Sequence, residues 1–375
     1  MSLLWMDYET EFQNLVDTAS ECEQNKAPDY FSALSKRVKK IIYRDTRYNI
    51  DFLYTAYTLG DSKIMTDYAV WLFKLMDSIF TQKTSLETAD YVIRHLDAIR
   101  EAIDSTIEPE KQADLVRLLD LASDRIREVA NQPATAENAS PSGSANSSAP
   151  RFAVSTYEKE IQEYMDSLFQ KNSRKTLYLI QKFTQQGIPI NDIYVEILAE
   201  SMRRVGELWH TAQITVDQEH YCTSVTQMAM AQMYPILFSN SEQRKNHLLL
   251  CACPGTELHE IGARMVADLF ENDGGDSLYL GAAVPEDAML DAIRVNHPDL
   301  VALSVTMPQH LIDCRNLITA IRQEFPNQKI AVGGNAFLST NRLWEQWPID
   351  FYTRDARQLL AQANTCFDGD SSLTS

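Results

Sequence analysis

Up to about residue 131, every segment longer than ten residues carries its apolar side chains at the three- and four-residue intervals of one helix face, and no stretch alternates as a strand does. Start signals agree: Thr84-Ser-Leu-Glu87 has the form of a capping box, and Glu108-Pro109 puts proline in a first turn. Residues 1–131 are therefore expected to be an all-α domain. The next stretch, QPATAENASPSGSANSSAP, has no large apolar side chain and cannot bury enough surface to offset its ordering, which predicts a flexible linker over 132–152. Helical spacing returns over 153–240, opened by Ser155-Thr-Tyr-Glu158 and punctuated by Gly187-Ile-Pro189, with room for four helices at roughly 157–170, 174–186, 191–208 and 215–237. From His247 the pattern becomes HLLLCAC, DSLYLGA, LVALSVT, KIAVGG and DFYTR, each run followed by a helix-like segment. Strands and helices alternating at this pace predict a parallel, doubly wound sheet over 246–366, with ligands held at the strands' carboxyl ends. The tail 367–375 is expected to be disordered.

Length and charge narrow the picture. A chain of 375 residues accommodates two or three domains. The formal net charge of −18 repels phosphate backbones, and no Lys/Arg cluster offsets it, so direct nucleic-acid binding is not expected. There is no run of eighteen apolar residues, and acidic residues stand near the start where a signal peptide carries basic ones, which predicts a cytoplasmic protein without membrane contact. The six cysteines are scattered, and Cys251-Ala-Cys253 falls in a predicted buried strand, so they read as reduced core thiols.

The loop after the first predicted strand, Pro254-Gly-Thr-Glu257-Leu-His259-Glu-Ile-Gly262, places a histidine at the sheet's carboxyl edge just ahead of a helix. Ser304-Val-Thr306 and Gly333-Gly334 fall at the same edge, offering hydroxyls for a buried ligand and glycines that let a bulky group approach the backbone. A lone histidine in such a loop is ordinarily just a polar residue, so its neighbours carry the argument. Glu257-x-His259-x-x-Gly262, then Ser304-x-Thr306 after 41 intervening residues, then Gly333-Gly334 after 26 more, resembles the cobalamin-binding Rossmann-like domain. The usual first residue of that motif is Asp, and Glu257 departs from it.

The resemblance implies that cobalamin binds with its dimethylbenzimidazole tail inserted into the sheet domain. His259 is then the lower cobalt ligand, Ser304, Thr306, Gly333 and Gly334 line the tail pocket, and Glu257 orients the imidazole from behind. It also gives the preceding helices a role, as a four-helix-bundle cap over the upper face of the corrin. Within that cap, Trp209-His210, Val216 and Glu219-His220 resemble the light-sensing adenosylcobalamin receptors of the CarH and LitR type. There the Trp packs against the adenosyl group, the Glu bonds it, and the residue matching His210 takes the upper position once light has removed that group. Singly, these residues read as core packing, surface histidines and a solvated helix charge.

Receptors of that type begin with a DNA-binding domain, whereas residues 1–131 have no basic recognition helix and many acidic side chains. The segment around Arg47–Trp71 resembles instead the helical region of photocobilins, which bind biliverdin beside cobalamin. That resemblance nominates Arg44 and Arg47 for the propionates and Tyr48, Phe52, Tyr54, Tyr57, Tyr68 and Trp71 for the ring walls, although aromatics at helical spacing are more often ordinary core.

The expected fold is thus all-α plus α/β, and the expected function is light sensing without enzymatic activity, read out through light-dependent oligomeric state or a protein partner. Two alternatives stay open: a corrinoid methyl carrier serving a methyltransferase, which would not need Trp209 with Glu219 and His220, and an AerR-like antirepressor. A mutase is not expected, because it needs a separate substrate barrel of about 250 residues.

Overall fold

A computed structural model describes residues 9–132, 155–238 and 244–371. All but the first residue of the predicted linker lies outside them. The chain divides into two units: helices up to Ala130, together with Pro308–Asp313 and Leu338–Leu343, form one, and the remainder forms the other.

The first unit is all helical: α1 (Glu9–Lys26), α2 (Pro28–Ala33), α3 (Lys36–Leu59), α4 (Ser62–Ile79), α5 (Ser85–Thr106) and α6 (Pro109–Ala130). The capping box is present, with Glu87 N–H donating to the Thr84 hydroxyl and Thr84 N–H donating to Glu87. Pro109 occupies the first turn of α6 as its missing N–H allows. Leu15, Val16, Ile50, Leu53, Ile64, Leu96, Ile99, Leu119 and Ile126 make its core.

The second unit begins with α7 (Glu158–Phe169) and α8 (Ser173–Gln185). The next helix, α9, runs through Ile190–Asp192, a wider π-helical segment Ile193–Leu198 and Ala199–His210. It is followed by α10 (Val216–Ala231) and a separate short α11 (Tyr234–Leu237), which has Pro235 in its first turn and splits the single helix expected over 215–237. Ser155 does not complete its predicted capping box. Its N–H donates to Glu158, but the Glu158 N–H donates to the Ser155 carbonyl and the Ser155 hydroxyl accepts from Tyr157; Glu158 also holds Arg204, which is 2% exposed and bonds Glu158 at 2.6 and 2.8 Å and Glu200 at 2.7 Å.

Beyond the cap lie β1 (Leu248–Pro254), α12 (Ile261–Asn272), β2 (Asp276–Val284), α13 (Glu286–Asn296), β3 (Leu300–Ser304), α14 (Leu311–Glu324), β4 (Lys329–Gly333), β5 (Phe351–Thr353) and α15 (Ala356–Ser371). The five strands are all parallel, in the order β2-β1-β3-β4-β5. The order reverses beside β1, so the loops leaving β1 and β3 turn to opposite faces and open a crevice at the carboxyl edge. The tail expectation is corrected here: α15 continues to Ser371, because Leu359, Leu360, Ala363 and Phe367 extend one apolar face and Phe367 stacks on His247 with centroids 4.0 Å apart. No helix among the described residues is long and apolar enough to cross a membrane.

Candidate functional site at the carboxyl edge of the sheet

β1 is buried along nearly its whole length, and Cys251 and Cys253 face one side of it as unpaired thiols. Burial pushes the Cys253 thiol up to about 12, which makes it a donor and not a nucleophile, and its Sγ donates to the carbonyl of His259 at 3.6 Å. After Pro254 the chain turns back so that Glu257, wholly buried, sits beneath His259.

The Glu257 carboxylate has four partners. Oε1 accepts from the backbone N–H of His259 at 2.9 Å and from its ring Nδ1 at 2.6 Å, while Oε2 accepts from the N–H groups of Thr306 and Met307, each at 2.8 Å. Burial by itself would raise this carboxyl; the bonds from His259 and Met307 outweigh it and hold the pKa at about 2. A carboxylate has no proton to give, so the ring proton of His259 is on Nδ1 and the lone pair on Nε2 is left for a ligand. The same bond raises the proton affinity of His259 against the opposing effect of its burial, with the charges of Glu257 and then Glu219 adding to it. The His259 side chain is 57% exposed, in contrast to its carboxylate.

The other motif residues lie along the same edge. Thr306, in the loop two residues past the end of β3, reaches the site through its backbone N–H. Ser304 ends β3 and its Oγ would lie 3.9 Å from a Cβ placed at Gly262. Gly333 ends β4 opposite Ser304. The chain's own backbone already requires the two glycines: a Cβ at Gly333 would lie 2.8 Å from the Thr353 carbonyl oxygen and one at Gly334, whose φ is +103°, 2.2 Å from that of Val305.

Trp209 and His210 end α9, Val216 opens α10, and at the N-cap of that helix the Thr215 N–H and hydroxyl both donate to Gln218 Oε1. Glu219 accepts from the Thr223 hydroxyl at 2.8 Å and pairs with His220 Nδ1 at 2.9 Å. Trp209, Val216 and Leu258 all remain exposed, which leaves apolar surface for a ligand to cover on both the cap and the His259 loop. Three residues not anticipated from the sequence join these parts: Gln227 Nε2 of α10 donates to Glu260 Oε1 at 2.8 Å, and the Tyr279 hydroxyl of β2 donates to Glu260 Oε2, also at 2.8 Å. The available signal was helical spacing, since Glu219, Thr223 and Gln227 are four residues apart.

The six aromatics nominated as ring walls in the first unit do not form one group. Phe52 stacks on Tyr68 at 3.8 Å, and Tyr68 lies beside Trp71 at 5.9 Å. Tyr54, about 200° from Phe52 around α3, is instead core: it is 1% exposed, bonds Glu11 and meets Phe12 and Tyr57 edge-on. Tyr48 and Arg44 are exposed, Arg44 beside Asp45.

Comparison with known proteins agrees with this geometry. A family model described as "B12 binding domain" matches residues 248–360, and a second of the same description matches residues 160–234. The HTH-type transcriptional repressor CarH of Myxococcus xanthus is 30% identical over 167 residues, 44% of this chain and 54% of that protein, so the chain spans about half the length of this curated relative. Dimethylamine corrinoid protein 2 of Methanosarcina acetivorans is 18% identical over 210 residues, 56% of this chain and 97% of that protein. Among solved structures, the Methanosarcina barkeri monomethylamine corrinoid protein aligns over 56% of this chain and 98% of its own with 20% identity and a TM-score of 0.49.

The site fits the cofactor. Among the described residues no three His, Cys, Asp or Glu side chains converge as an all-protein metal site would require. One imidazole backed by a buried carboxylate is the donor set for a cobalt whose in-plane ligands come from a macrocycle.

Proposed function

We propose that this chain, a cobalamin-binding protein by its two B12-binding domains, is a light sensor and not an enzyme, with His259 as the lower cobalt ligand and the turn from Trp209 to His220 as the reader of the upper face. Bound adenosylcobalamin would supply a cobalt–carbon bond that visible light breaks. Glu257 fixes the tautomer and aim of His259, so Nε2 points out of the loop with its lone pair available. The upper face is served by Trp209, Val216 and Glu219, whose bulk and charge suit an adenosyl group. His210, at the end of α9 and followed by a turn in which Ala212 has φ +54°, stands where a change in the turn would carry it.

The observation that carries the reading is the cap turn itself: an exposed Trp209 and Val216 beside a Glu219 whose charge acts on His259. A methyl carrier must open this face to partner enzymes and has no need of that set. The output would be a change of oligomeric state or of a protein partner. A biliverdin site in the first unit has Phe52, Tyr68 and Trp71 as its remaining candidate wall, with Arg47 for a propionate.

The test is the absorption spectrum of protein loaded with adenosylcobalamin in the dark, before and after green light, alongside His210→Ala. A stable light-induced change that the variant lacks supports the sensor. An unchanged spectrum, or retention of methylcobalamin alone, replaces it with the methyl carrier. Loading with biliverdin, with Trp71→Ala as the control, tests the second chromophore.

A further inference from the structure

Glu260 follows His259 directly and stands at the N-cap position of α12, yet its side chain does not cap the helix. Instead the carboxylate bridges two elements, accepting from Gln227 in the cap through one oxygen and from Tyr279 in β2 through the other, each at 2.8 Å. Bonds to a charged acceptor are the stronger kind, and here one carboxylate is shared between cap and sheet.

Local structure is shaped to admit this bridge. β1 and β2 shift register between Cys251 and Ala252, so that Tyr279 pairs with Cys251 but Gly281 pairs with Ala252. Such a bulge re-aims side chains at a sheet edge. At Gly281, φ is +85° and a Cβ would lie 3.3 Å from Glu260 Oε2, so the glycine leaves the carboxylate its space. The backbone of Glu260 is fixed by α12, whose Arg264 N–H donates to the Glu260 carbonyl at 2.9 Å.

His259 is thus held through its ring and N–H by Glu257, through its carbonyl by Cys253, and through its neighbour by the cap. On α10 the same face carries Glu219, Thr223 and Gln227 in successive turns, so a shift of that helix at the upper face acts on the Gln227–Glu260 bond.

From this we infer that Glu260 is a positioning residue that couples movement of cap helix α10 to the placement of His259. The inference rests on the reading of His259 as the lower ligand. It makes the lower ligand responsive to the state of the cap, which a passive pocket would not be.

Electron paramagnetic resonance of the full chain loaded with cob(II)alamin tests both points separately. In wild-type protein labelled with ¹⁵N-histidine, a doublet splitting identifies a histidine on cobalt; its absence sinks the ligand reading, whatever Glu260 does. Gln227→Met keeps the side chain's size on a partly exposed helix face and removes its donor, so it decides the coupling; Glu260→Ala and Tyr279→Phe accompany it. Expected are a weakened or lost histidine splitting and about tenfold weaker cobalamin binding in Gln227→Met, in the range seen when partners behind a metal ligand are removed. In the cofactor-free protein, amide exchange across residues 257–262 should quicken in the same variant. Unchanged splitting and unchanged exchange in Gln227→Met would overturn the coupling and leave Glu260 a packing contact.

Discussion

Glu257 Oε1 and His259 Nδ1 stand 2.6 Å apart, a wholly buried carboxylate against a half-exposed imidazole only two residues further along the chain. So short a loop closes this bond because the same oxygen also accepts the His259 N–H, while the other oxygen is fixed by Thr306 and Met307. The acid therefore does two jobs: it joins the loops leaving β1 and β3, and it decides which ring nitrogen meets a ligand.

Glu257→Gln should damage both. Its amide cannot accept from His259 and from Thr306 and Met307 together, so one set of buried N–H groups loses its partner at about 1–3 kcal/mol, and cobalamin affinity should fall about 10- to 100-fold. Glu257→Asp keeps the charge and should stay within about tenfold of wild type on the same measure. Isothermal titration with aquacobalamin and thermal melts of the cofactor-free protein check both. His259→Ala should lose the affinity and also lower the melting temperature, because the wholly buried Glu257 carboxylate loses its 2.6 Å ring partner.

Gly334→Ala should destabilise the sheet unit by about 3 kcal/mol or more, from overpacking and backbone strain together. Its Cβ would meet the Val305 carbonyl oxygen at 2.2 Å, and backbone at that distance cannot yield as a side chain does. Urea denaturation of the cofactor-free chain measures the loss; a variant as stable as wild type would mean the loop after β4 rearranges freely.

Arg204→Met should lower cap stability by about 2–3 kcal/mol, at and below the bottom of the roughly 3–5 kcal/mol range for breaking a buried ion pair. The discount reflects Glu158, whose side chain is 40% exposed and can turn to water when its partner goes. Circular dichroism melts of Arg204→Met beside the double variant with Glu158→Gln check this, because the double variant should recover part of the loss.

In the first unit, Asp51 predicts a pH dependence. Burial raises its carboxyl to about 6; Asp313 pushes it the same way, while His310 and Arg47 oppose. A raised folded pKa means the native state keeps a proton that the unfolded chain has lost, so stability falls as pH rises from about 4 to about 6 and stays lowered above that. The full difference is about 3 kcal/mol from a shift of about two units. Asp51→Asn should therefore be more stable than wild type at pH 7.5 and closer to it at pH 4.5, as melts at the two values would register.

The helical first unit, the five strands and the edge at which His259 sits were legible in the sequence, because each rests on local periodicity and on a motif whose spacing follows strand and helix lengths. Phe367 was misread as tail because seven of the nine residues from Phe367 on are polar or small, and nothing local shows that Phe367 stacks on His247 across the fold. That Tyr54 belongs to the core was not legible, because spacing along one helix does not say which side faces it.

What the sequence determined alone is therefore the order of elements, the acidic charge and the presence of Glu257 and His259 in one loop. Tertiary structure decided that Glu257 is fully buried with four partners, that a Cβ at Gly333 or Gly334 would strike the chain's own backbone, and that Gln227 reaches Glu260. The physical reason is range: periodicity and turn chemistry act over a few residues, whereas burial, hydrogen-bond satisfaction and steric exclusion depend on which distant segments the fold brings to the same place.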